Sequence, residues 1–75
     1  MNEQLRFIVA DTLGIDPEAV TPETSRDSEP GWDSLNHLRL ITAVEEAFGV
    51  KLTMAEIQAI TRAAELEARI GAAAR

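Results

Sequence analysis

The 75-residue chain has a formal net charge of −6 and no cysteine. Its length bounds it to one domain that buries only about 60% of the surface of its unfolded form, which leaves little room for a deep cleft with a full catalytic constellation. The acidity argues against nucleic acid and anionic lipid as partners, and the lack of cysteine excludes disulfides and thiolate metal sites.

A first helix is predicted from about Glu3 to Leu13. Leu5, Ile8, Val9 and Thr12 mark one face at spacings of three and four. Asn2 is placed to cap its start and Gly14 to end it in the left-handed conformation. Ile15 would then fold back toward Val9, and Phe7 falls off the face.

Asp16 to Trp32 reads as a long connection. Asp16-Pro17-Glu18 and Thr21-Pro22-Glu23 each put proline after a capping residue, so each is expected to open a single helical turn. Val20 pins the segment to the core. Thr24 to Gly31 is polar, ends in Pro30-Gly31, and reads as an irregular loop.

The second main helix begins at Asp33 or Ser34 and runs to about Phe48. Leu35, Leu38, Ile41, Val44 and Phe48 form its stripe, Leu40 widens it, and Gly49 stops it. Thr53-Met54-Ala55-Glu56 has the pattern of a capping box opening a short third helix, with Leu52 and Ile57 as a hydrophobic staple. That helix ends near Ile60. Thr61 is expected to cap a fourth, with Ala63, Leu66 and Ile70 as its apolar face, and residues 72–75 are expected to fray. Short links and the lack of strand-period segments predict an all-α four-helix bundle spanning 1–75 as a single domain. No apolar run reaches membrane-spanning length and the N-terminus lacks a signal-peptide pattern, so a soluble, cytoplasmic monomer is expected.

The string with chemical content is Gly31-Trp32-Asp33-Ser34-Leu35, between the polar loop and the strongest amphipathic helix. Asp33 is suited to cap that helix, which would put Ser34 at its first position with the hydroxyl outward. Free N–H groups and the positive end of the helix dipole favour an anion there.

The stretch from Trp32 to Phe48 resembles the core motif of acyl and peptidyl carrier proteins, carried by Asp33, Ser34 and Leu35 and by Glu45-Glu46 ahead of Phe48-Gly49. Leu13-Gly14, Val20-Thr21-Pro22 and Ile60-Thr61 extend the likeness over nearly the whole chain. The resemblance implies a four-helix bundle in which Ser34 receives 4'-phosphopantetheine from coenzyme A. It also implies a phosphopantetheinyl transferase, an acyl- or aminoacyl-loading ligase, and downstream synthase or transferase enzymes as partners. The chain itself would be non-catalytic, with partner contacts expected at Trp32, Leu35, Asn36, Arg39, Glu45 and Glu46.

Several residues have plainer readings. Trp32 is expected to pack the loop onto the bundle, although it could also meet a partner. Leu35 is either a docking contact or core. His37, the only histidine, cannot build a metal site and is read as a surface residue. Leu40, Val44, Leu52, Ile57 and Ile60 could flank an acyl-sheltering groove but read first as core. Asn36 and Arg39 are neutral and basic where many fatty-acid carriers are acidic, which points to dedicated partners in a specialised pathway. A serine hydrolase is disfavoured because the glycines of a nucleophile elbow are absent around Ser34. A helix-turn-helix DNA binder lacks a basic recognition helix. An unmodified interaction module of the same fold remains the alternative.

Overall fold

The computed structural model describes residues 1–73. Its elements are α1 (Glu3–Leu13), a one-turn 3₁₀ helix (Pro17–Ala19), α2 (Ser34–Phe48), α3 (Met54–Ala59) and α4 (Ala63–Ala73). The helix ends follow from local chemistry. The Leu5 amide donates to Asn2 Oδ1 at 3.0 Å, and the Glu18 amide donates to Asp16 Oδ1 at 2.8 Å. Gly14 and Gly49 close α1 and α2 with φ of 71° and 65°, a region in which a side chain is strained. The Thr53–Glu56 capping box is complete, with both reciprocal bonds made.

The core lies between α1, α2 and α4. Leu5 and Val9, Leu40 and Val44, and Leu66 are fully enclosed, and Val20 and Ile60 are plugged in from the connections. Each such side chain contributes roughly 1.5–3 kcal/mol.

Two apolar faces are rotated from the expected ones. On α1 the buried residues are Leu5, Val9, Ala10 and Leu13, while Ile8 and Thr12 sit at the edge. On α2 they are His37, Leu40, Ile41 and Val44, with Phe48 partly buried. Leu35 and Leu38 are 58% and 56% exposed, so the expected stripe was phased on the wrong leucines.

The long connection is more ordered than an irregular loop. Thr21-Pro22-Glu23 forms a turn rather than a helix, with the Thr24 amide donating to Thr21 O. Ser25 and Arg62 make an isolated antiparallel bridge. α4 is not opened by a Thr61 cap either. Glu65 Oε1 folds back to accept from the Thr61 and Arg62 amides and from the Thr61 hydroxyl. The next two amides, of Ala63 and Ala64, donate to Thr24 O and Pro22 O. Ala72 and Ala73, expected in the frayed tail, continue α4. Ala74 and Arg75 lie outside the described residues.

Candidate functional site

Ser34 is the first residue of α2 and is exposed. Asp33 is the N-cap, in extended backbone conformation, and its Oδ1 accepts from the Asn36 amide at 2.8 Å. The Asp33 carbonyl accepts from the His37 amide at 2.8 Å. The first two helical amides, those of Ser34 and Leu35, are left to solvent or ligand by the geometry of any helix start. The site therefore presents a free hydroxyl beside open N–H groups at the positive end of a fifteen-residue helix. A phosphodiester on Ser34 Oγ fits this surrounding, because its charge would meet the open Ser34 and Leu35 amides while the Asp33 carboxylate is engaged by the Asn36 amide.

The approach to Ser34 is held from two sides. Asn36 Nδ2 donates to Gly31 O at 2.7 Å. Trp32, two residues before Ser34, is only 2% exposed, and its indole N–H donates to His37 Nδ1 at 2.9 Å. The two rings lie 6.1 Å apart between centroids, at 27°. Gly31 is required here by close approach: a Cβ at this position would stand 2.7 Å from the carbonyl oxygen of Leu13.

His37 overturns its reading as a surface residue. It is 5% exposed, and its Nε2 lies 2.7 Å from Ile57 O on α3. Sequence reasoning missed it because a lone polar residue beside three leucines looks solvent-facing. The only signal was its phase, three residues before Leu40 and four before Ile41.

The other expected contact residues separate into two sets. Leu35, Arg39 and Glu46 are exposed along α2, with Leu38 beside them. Trp32 is packed inside and offers almost no surface, so burial corrects its place among the partner contacts. Asn36 and Glu45 are partly buried, and each makes an internal bond: Asn36 to Gly31 O, and Glu45 Oε2 accepting from the Leu52 amide at 2.9 Å. Of the groove candidates, Leu40, Val44 and Ile60 are core, and Leu52 and Ile57 pack against it. A depression of about 710 Å³ runs along α1 past Phe7, Ile8, Ile15 and Pro17, and Ser34 does not line it.

Among the described residues no three His, Cys, Asp or Glu side chains are grouped so as to hold a metal ion, and no described helix is long and apolar enough to cross a membrane.

Comparison with known proteins agrees with this geometry. The chain is 48% identical over 50 residues to the acyl carrier protein of Thermosynechococcus vestitus, a match over 67% of this chain and 62% of that protein. It is 40% identical over 63 residues to the acyl carrier protein of Rubrobacter xylanophilus, covering 84% and 78% of the two chains. The solution NMR structure of the holo acyl carrier protein from Geobacter metallireducens superimposes with a TM-score of 0.82 at 27% identity, covering 93% of this chain and 80% of that one. The phosphopantetheine attachment site family matches residues 3–70, and the chain belongs to this family of phosphopantetheine-binding carrier proteins.

Proposed function

We propose that this chain is a non-catalytic carrier domain whose Ser34 bears the 4'-phosphopantetheine arm. The observation that carries the reading is the exposed Ser34 at the first position of α2, behind the Asp33 cap. In the loading step the Ser34 hydroxyl attacks the pyrophosphate of coenzyme A. A Ser34 O–P bond forms, the phosphoanhydride bond breaks, adenosine 3',5'-bisphosphate leaves, and the hydroxyl proton passes to a base of the transferase. The chain's own contribution is to hold the hydroxyl in the open and to place free amides beside the incoming phosphate. When bound, the arm supplies a thiol that holds cargo as a thioester. Tethering then raises the effective concentration of that cargo at each partner's active site.

The face offered to partners is the exposed side of α2, with Leu35 and Leu38 nearest Ser34, Arg39 beyond them and Glu46 at the far end. Arg39 places a positive charge on this face, and charge complementarity selects partners. This supports service to dedicated enzymes of a specialised pathway.

The test is intact-mass analysis after incubation with coenzyme A and a promiscuous phosphopantetheinyl transferase. The expected result is the mass gain of one arm, absent from Ser34→Ala. An unchanged wild-type mass would leave an unmodified interaction module, and a gain that survives Ser34→Ala would move the site elsewhere.

A further inference from the structure

The Trp32–His37–Ile57 chain of hydrogen bonds reaches from the loop before Ser34, through the first turn of α2, to α3. An indole N–H can only donate, so His37 Nδ1 must accept and the ring proton sits on Nε2, directed to Ile57 O. The ring thus joins two segments, the loop before Ser34 and α3, by hydrogen bonds through α2. α3 has six residues and none is fully buried, and a helix that short does not hold itself together. On the other side, Gly31 and Trp32 are both bonded from the first turn of α2, by Asn36 and His37. Burial of both rings excludes water that would otherwise replace these bonds.

We infer that His37 is a positioning residue for Ser34. By accepting from Trp32 and donating to Ile57, it fixes the loop that delivers the attachment hydroxyl relative to α3. A transferase or partner that touches α2 and α3 together then meets Ser34 at one height and angle. The inference rests on Ser34 being the attachment site, and it deepens that reading by naming what orients the hydroxyl. Loss of the Trp32 bond leaves α2 intact but frees the residues just before its cap, so the effect falls on productive engagement more than on the fold.

The test compares transferase kcat/KM for wild type, Trp32→Phe, His37→Leu and His37→Asn, each well below its unfolding transition. Asparagine keeps an acceptor near the position of Nδ1, whereas leucine keeps neither bond and phenylalanine removes only the indole donor. The expected losses are about tenfold for His37→Leu, which loses both bonds, and about fivefold for Trp32→Phe and for His37→Asn, which keeps the Trp32 bond and loses the one to Ile57. Variants that melt earlier yet load at the wild-type rate while folded would overturn the inference and reduce the pair to packing. If the variants fail to fold, ring ¹⁵N shifts of the wild-type protein still decide: an Nε2–H ring is expected, and an Nδ1–H ring would break the chain of bonds and the inference with it. A wild-type chain that never loads at Ser34 would instead sink the attachment reading, while the ring tautomer would still report on the strut.

Discussion

The mouths of α2 and α4 are built from similar residues and arranged oppositely. Each has a hydroxyl residue near its start, Ser34 as the first residue of α2 and Thr61 two residues before α4. At α4 the amides are consumed: Glu65 takes those of Thr61 and Arg62, and the carbonyls of Thr24 and Pro22, in the connection between α1 and α2, take those of Ala63 and Ala64. Even the Thr61 hydroxyl is bound, donating to Glu65 at 2.8 Å. At α2 the capping carboxylate takes the Asn36 amide and leaves the first two helical amides and the Ser34 hydroxyl facing outward. A helix start can receive an added anion only where capping leaves amides unbonded. This difference, more than the serine itself, is what the proposed attachment at Ser34 relies on.

The largest expected effect is therefore all-or-none. Ser34→Ala should abolish arm attachment, and peptide mapping of the wild-type protein should find Thr61 unmodified. Next is a contrast in stability between side chains at the two ends. Leu66 in α4 is fully enclosed, so Leu66→Ala should cost about 2–5 kcal/mol in urea denaturation. Leu35, more than half exposed beside Ser34, should cost under about 0.5 kcal/mol as alanine. A large loss from Leu35→Ala would mean that the open mouth is also part of the core.

How far each mouth was readable from sequence follows from the range of the interactions. Asn2, Asp33, Gly14, Gly49 and the Thr53–Glu56 pair act within three or four residues, so their roles were visible as local patterns. The closure of α4 mixes ranges: Glu65 reaches back three and four residues to Arg62 and Thr61, whereas the carbonyls come from Pro22 and Thr24, some forty residues earlier and beyond any local pattern. The buried face of α2 was misread for another reason. At 100° per residue, His37, Leu40, Ile41, Val44 and Phe48 fall within about 100° of arc, but Leu35 and Leu38 supply a second set at the same spacing. α2 has more leucines than its core face requires, so periodicity could not choose between the sets. His37 breaks the apolar pattern at the centre of the true face, and only its partners Trp32 and Ile57, on two other segments, explain why it is buried.

Smaller effects test how the open mouth is held. Gly31→Ala would press a Cβ against the backbone of Leu13, which cannot swing aside as a side chain could. It should cost about 1–3 kcal/mol and slow loading by displacing the segment before Ser34. Asp33→Ala removes the cap alone and should cost about 1 kcal/mol, read as a lower urea midpoint with an unchanged slope.

The closed mouth should respond to acid. The Thr61 hydroxyl and amide, with Arg62 beside them, hold the Glu65 carboxyl below the ordinary glutamate range. A carboxylate whose folded value is depressed stabilises the fold fully above its unfolded value, near 4.3, and loses that contribution as pH falls through the folded value. Glu65→Gln should therefore be less stable than wild type near neutrality, and the gap should close on the acid side. The effect is modest because Glu65 is solvent-accessible, and added salt should shrink it. Glu56 is depressed in the same direction by the Thr53 amide and hydroxyl, so Glu56→Gln reports on α3 in the same window and must be measured alongside. Thermal midpoints followed from about pH 7 to about pH 3 should converge for wild type and Glu65→Gln. Parallel curves would mean that the carbonyls of Pro22 and Thr24, rather than the carboxylate, keep α4 shut. The contrast with α2 would then be one of loop closure and not of charge.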